Sequence, residues 1–162
     1  MTSPALSQLI TQVESKGFLL PKPVGIVGDF GDTQADSEDL IHLVQAGQKR
    51  ATASLLWSWQ VEQEAVPAPG ELEIVVNWQQ QPVFVIEYTQ VEILPFNQVS
   101  ADFAWAEGEG DRSLTYWRRT HWDFFSRECD RLDRTASAQM PIVCAHFKLL
   151  FSLIDGSTGL ER

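Results

Sequence analysis

Two short segments carry residues whose types and spacing could do chemistry. In Gly47-Gln48-Lys49-Arg50-Ala51-Thr52 a helical pattern ends, two cations follow, and a hydroxyl lies three residues after the lysine. Side chains of these types can hold an anionic oxygen, move a proton or supply a nucleophile. A lysine leaving a helix C-terminus also complements the helix dipole, and spacing alone favours that plainer explanation. In Trp105-Ala106-Glu107-Gly108-Glu109-Gly110-Asp111-Arg112-Ser113, three carboxylates alternate with glycines ahead of a long helical pattern. Carboxylates there either exchange protons or cap the helix, and the glycines fit a backbone held close to something or a plain flexible connection.

The elements that must position these segments follow from periodicity. Ser3-Pro4 reads as a helix cap and first turn, with Leu6, Leu9, Ile10 and Val13 on one stripe and Gly17 as the stop. Residues 21–31, rich in Pro and Gly, read as a loop. Asp36, Glu38 and Asp39 then open a second helix that Gly47 ends. From Thr52 the alternation through Trp57 and Trp59 predicts a strand, which Leu56 interrupts. Runs 71–77 and 82–94 predict a hairpin or meander. A short helix is expected over 101–106, then a long helix capped by Asp111 and carrying Leu114, Trp117, His121, Phe125 and Cys129. Residues 141–152 close the pattern as a strand with Val143, Ala145, Phe147, Leu149 and Phe151 on one face, and the tail from Asp155 is expected to fray. This is an α+β domain whose antiparallel or mixed sheet is able to curl into a small barrel.

Length and composition bound what such a domain does. One core accounts for 162 residues, and 44% apolar residues with 6 Trp and 9 Phe exclude a disordered or fibrous chain. A net charge of −10 argues against broad attachment to duplex nucleic acid or anionic lipid, while leaving room for a small basic pocket. Residues 1–17 lack a secretion signal and no apolar run is long enough to cross a bilayer, so a cytoplasmic protein with no membrane partner is expected. Cys129 and Cys144 are expected to be buried thiols. No P-loop, dinucleotide fingerprint, His-Glu-x-x-His or Gly-x-Ser-x-Gly motif is present.

An ordered set of motifs resembles the ASCH domain family over residues 25–152: Phe30-Gly31-Asp32, Gly47-x-Lys49-x-x-Thr52, Pro69-Gly70-Glu71, and Glu107-Gly-Glu109-Gly-Asp111-Arg112-Ser113-Leu114 with Trp117. The order and spacing are similar to its larger bacterial members. The resemblance implies a PUA-like fold, a compact β-barrel flanked by helices, with residues 1–24 as an added helix and linker and 153–162 as a tail. It also implies a cleft lined by the lysine-threonine segment. Some small members of the family hydrolyse the amide of acetylated cytidine with a lysine, a threonine three residues later and a downstream glutamate. By resemblance these are Lys49, Thr52 and Glu109, with Glu107 as the alternative carboxylate. This chain departs from those enzymes by its N-terminal helix and its glycine-rich connection containing Asp111.

That chemistry sets conditions the fold must meet. A threonine hydroxyl attacks an amide only if a base takes its proton, and a lysine is that base only where burial lowers its pKa. The glutamate then protonates the leaving amine or orients the lysine. Arg50 and Arg112 are secondary candidates for a ribose or phosphate oxygen, against the plainer reading of solvated arginine. Among the tryptophans, Trp105 beside the acidic run is the candidate for stacking a base, a contact worth roughly 1 to 3 kcal/mol. His42 and His146 lack neighbours at ligand spacing and His121 sits on the apolar stripe of the long helix, so all three read as structural, and neither a metal nor a cofactor is expected. The partner implied is a small nucleoside-like substrate, with RNA as the competing class because the family is similar to PUA-like RNA binders. A noncatalytic nucleotide-binding module is the third reading, and oligomeric state is left open.

Overall fold

The computed structural model describes residues 4–154, with side chains from Leu6 onward, so the Ser3 cap and the tail from Asp155 lie outside the described residues. Helix α1 (Pro4–Ser15) buries Leu6 and Val13, which with Phe18 cover Leu72, Ile74, Val76 and Val85 of the sheet. Gly17 stops the helix at a φ of +94°, a conformation that costs glycine little.

The stretch expected as a loop contains a strand, β1 (Val24–Gly28), which pairs parallel with β3 (Leu72–Val76). Pro and Gly density hid it, because β1 is an edge strand held by one neighbour and local propensity counts for less there. Helix α2 (Gln34–Gln45) follows, capped by Thr33, whose hydroxyl accepts from the Asp36 amide.

Strand β2 (Ala51–Leu55) is shorter than the alternation predicted, and residues through Trp59 turn into helix α3 (Leu56–Val61). The ladder itself runs out: Leu55 pairs with Ile142, and the partner strand begins at Pro141, which has no N–H to offer. Strands β3 and β4 (Pro82–Pro95) form the expected hairpin. Its turn is held by Asn77, whose side-chain oxygen accepts from the Gln79 and Gln81 amides.

Helix α4 (Ala101–Glu107) starts at Ser100, and α5 (Leu114–Arg131) is capped by Ser113 rather than Asp111. Asp111 acts one step earlier, accepting from the Ser113 amide and fixing the cap residue. Strand β5 (Pro141–Ser152) pairs along β4, but Ile86 faces Leu149 while Val85 faces Phe151. The extra residue is a bulge that turns Phe151 to the α1 side, away from Val143, Ala145 and Phe147.

The sheet order is β1-β3-β4-β5-β2, parallel only at β1–β3. Two register shifts along β4–β5 bend it, and β1 and β2 remain edges, so the described sheet is a curled, open barrel. Cys129 and Cys144 are free, buried thiols, the latter pushed up to about 12 by burial first and then by Glu107 and Glu92. No helix among the described residues is long and apolar enough to cross a membrane. A cavity of about 990 Å³ opens between one face of the sheet, the start of α2, α3 and α5.

Candidate active site

Lys49 lies in the link from α2 to β2, whose Gln48 and Lys49 amides donate back to the Leu43 carbonyl. The acidic segment docks directly on this link. Gln48 donates from its side chain to Gly108 O at 2.6 Å, the Arg50 amide donates to Ala106 O at 2.8 Å, and a Cβ on Gly108 would stand 2.4 Å from Gln48 O. Gly108, at a φ of +76°, is therefore a close-approach glycine, and what it approaches is the lysine segment.

This docking brings Lys49 and both glutamates together. The Lys49 ammonium donates to Glu107 Oε2 at 2.7 Å, Glu109 Oε2 at 3.0 Å and Ala51 O at 2.8 Å. Lys49 and Glu107 are each 1% exposed, whereas the Glu109 side chain keeps 16% of its surface open. Glu107 is committed on both oxygens, because Oε1 also accepts from Trp117 Nε1 at 2.7 Å and faces His121 Nε2 at 3.0 Å. The other ring nitrogen of His121 points at the Trp117 carbonyl at 2.9 Å. Both nitrogens face acceptors, so the ring that satisfies this geometry carries two protons and a positive charge.

The electrostatics follow from that packing. Burial alone would raise Glu107, but the Lys49 ammonium and then His121 outweigh it and hold the carboxyl well below its usual range. Burial alone would lower Lys49, yet Glu107 and Glu109 reverse the sign and raise it. The sequence-based condition of a lysine with lowered pKa is thus not met: Lys49 is held as ammonium. Glu109 moves the other way from Glu107, raised by burial and by the neighbouring Glu107 charge against the pull of Lys49. His121 is also raised, since Glu107 overcomes the effect of burial.

Lys49, Thr52, Glu107, Glu109 and His121 all line the cavity. Thr52 stands on β2 opposite Ala145, on the strand face away from Ala51 and Leu55, which pack into the core under α4 and α5. Of the other expected substrate contacts, Arg50, Trp105 and Arg112 are not among the cavity-lining residues. Arg50 donates to the carbonyls of Val44 and Lys49 at the end of α2, so dipole complementarity accounts for it. Arg112 lies over the exposed Trp105 ring at 3.7 Å and donates to the Trp105 carbonyl at 2.8 Å, a clamp on the outer side of the docked segment.

His121 was hidden from sequence reading because it sits on the apolar stripe of α5. Its signal is the i, i+4 pair with Trp117, whose ring stacks on it at 4.2 Å between centroids. Trp59 and Trp78 also line the cavity, whereas Trp57 packs against the core under Arg134. Asp29, Glu73 and Tyr88 form a further polar group in the same cavity. Glu107, Glu109 and His121 offer donor atoms within 4.8 Å of one another, a spacing open to a metal ion. The Lys49 ammonium already bridges the two carboxylates, so this donor set fits a protein cation, and a metal would have to displace it.

A curled, mixed sheet flanked by helices, with a buried lysine between two carboxylates at a cleft, defines a PUA-like α+β domain. A family model for the ASCH domain matches residues 27–151, and the chain belongs to that family. It is similar to the crystal structure of an ASCH domain from Lactobacillus crispatus JV V101, at 33% identity and a TM-score of 0.76 over 91% of this chain and 95% of that one. It is also similar to protein EF3133 from Enterococcus faecalis V583, at 30% identity and a TM-score of 0.78 over 98% of each chain. A hypothetical protein, PH0355, shares the fold at 14% identity and a TM-score of 0.51, over 76% of this chain and 95% of that one. No curated protein matches.

Proposed function

We propose that this ASCH domain is an amidohydrolase that deacylates a small modified pyrimidine nucleoside such as acetylcytidine. The observation that carries the reading is the pairing of Lys49 with the partly open Glu109 in the cavity that Thr52 also lines. Glu109, as carboxylate, takes the Thr52 hydroxyl proton as Oγ1 attacks the acyl carbon, and the carbonyl electron pair moves to oxygen. As Glu109 takes that proton its bond to Lys49 weakens, and the Lys49 ammonium turns the freed N–H to that oxyanion and stabilises it. The C–N bond then breaks and the proton held by Glu109 passes to the leaving amine. Water, deprotonated by the same carboxylate, cleaves the acyl-threonine ester, releasing the carboxylic acid and restoring Thr52. Glu107 positions Lys49 and His121 in this scheme, because both its oxygens are committed to protein donors.

RNA cleavage or RNA binding is the competing reading. Carboxylates outnumber Lys and Arg ten to three along the cavity. All three cations are paired: Lys49 with Glu107 and Glu109, Arg127 with Asp32 and Arg131 with Glu128. A polyphosphate track needs cations to spare, so this lining favours a small substrate. The test is turnover of acetylcytidine by the purified protein, with short RNA as the alternative substrate. Deacylation is expected, retained in part by Thr52→Ser and abolished by Thr52→Val. Full activity in Thr52→Val would replace the threonine by a water nucleophile, and RNA cleavage without deacylation would overturn the reading.

A further inference from the structure

The cavity has a second polar group that the chemistry above does not use. Glu73 on β3 and Tyr88 on β4 share the sheet face that lines the cavity, at 5% and 4% exposure. The Tyr88 hydroxyl donates to Glu73 Oε1 in a short hydrogen bond. The other carboxylate oxygen, Glu73 Oε2, lies toward β1. Its neighbour is the backbone of Gly28, where a Cβ would stand 2.6 Å from that oxygen. Glycine at 28 keeps the space beside that oxygen clear, so it stays open to a ligand in the cavity that Gly28 and Glu73 both line.

The chemistry of this pocket is one-sided. Asp29, which follows Gly28, lies close enough to raise Glu73 by its charge, and it too is pushed up by burial. Among the described residues no Lys or Arg is paired with either carboxylate, so a phosphate or carboxylate seated against Glu73 would face acids rather than a cation. A group that donates hydrogen bonds and carries no negative charge would satisfy Glu73 Oε2, and the phenol oxygen of Tyr88 could accept a second donor. Two neighbouring hydroxyls meet both requirements.

The two polar groups are close. Asp29 is followed by Phe30, whose ring lies 5.5 Å from the Lys49 ammonium and also lines the cavity. Phe30 also packs in the same cluster as Tyr88, so the acid-phenol pocket and the lysine-glutamate site share one cavity wall with this ring between their elements.

From this arrangement we infer that Glu73 and Tyr88 form a sugar subsite, binding the vicinal hydroxyls of an unphosphorylated nucleoside whose base end lies toward Lys49 and Glu109. This rests on the amidohydrolase reading for the orientation of the ligand but not for the subsite itself.

The test is calorimetric titration of the intact protein with cytidine, cytosine and cytidine 5′-monophosphate, beside the acetylcytidine assay. Cytidine is expected to bind at least about 10-fold more tightly than cytosine, as two hydrogen bonds to buried polar groups would give, and more tightly than the monophosphate. Glu73→Gln should remove most of that preference while leaving cytosine binding unchanged. Gly28→Ala should do the same without changing charge, by crowding Oε2. In turnover, Glu73→Gln should raise KM for acetylcytidine and spare kcat, with both constants unchanged for acetylcytosine. Equal binding of cytidine and cytosine, tighter binding of the monophosphate, or a preference that survives Glu73→Gln would each overturn the subsite. So would failure of the wild-type protein to bind cytidine. If cytidine is preferred and the preference depends on Glu73, but acetylcytidine is not hydrolysed, the subsite stands and the amidohydrolase reading fails.

Discussion

Glu73 and Glu107 are both buried glutamates on the wall of one cavity, and their surroundings drive them in opposite directions. Glu107 meets Lys49, His121 and the Trp117 indole, so its charge is matched and its carboxyl is held down. Glu73 meets a phenol, a glycine backbone and the nearby Asp29 charge, so burial dominates and pushes it up to about 7. Burial by itself does not define a carboxylate's role; the charge of what is buried beside it does. A matched glutamate holds the lysine in place, and an unmatched one is driven toward its neutral form.

The sharpest way to break this comparison is to remove the match. Lys49→Met leaves Glu107 buried between one remaining cation and an indole, so it should cost about 3 to 5 kcal/mol of stability and all activity, measured by denaturant unfolding and turnover. Loss of activity with unchanged stability would show that the pair is not structural at all. Next in size, Glu109→Gln should lower kcat by about 100-fold or more with little change in unfolding free energy. Glu107→Gln should do the reverse in emphasis, losing stability first. A collapse of kcat in Glu107→Gln at wild-type stability would exchange the two roles.

The same contrast has a pH signature. Glu73 is raised in the folded protein, so the folded state holds a proton that the unfolded chain has released, and stability falls as pH rises from its unfolded value through about 7. Between roughly pH 5 and 7 this amounts to about 2 kcal/mol, and Glu73→Gln should flatten that slope. Glu107 is depressed, so its contribution is present above its unfolded pKa and disappears as pH falls through the folded value. Its mutation should change the acid limb and, by releasing His121 from the pull that raises it, the slope above the unfolded histidine pKa as well. Unfolding free energies measured across pH for the two variants separate these limbs, and identical profiles would contradict the difference in their surroundings. The smallest effect is expected at Arg112→Ala, on the exposed face of the docked segment, at below about 1 kcal/mol and with kcat nearly intact. A large loss of activity there would return Arg112 to the substrate contacts.

Local pattern carried a good deal of this molecule. The apolar stripe of α5, the hairpin of β3 and β4 and the glycine stop after α1 depend on neighbours a few residues away, and each is readable from its own segment. Lys49, Thr52 and the Glu107–Glu109 run were singled out the same way. The strand β1 was not, because its pairing partner is β3, and α3 was not, because the end of β2 is set by where β5 begins.

The sequence by itself determined which titratable groups are present and which elements carry them. Only the tertiary structure decided their charge and their company. Lys49 is an ammonium because Glu107 and Glu109, 58 and 60 residues away in the chain, are packed against it. His121 left the ranks of core residues because α5 turns it onto Glu107. Glu73 and Tyr88, on two strands of one hairpin, became a polar pair only when the strands' pairing put them on one face and β1 laid a glycine beside Glu73. Desolvation and Coulomb attraction act through space, and a linear sequence does not state those distances.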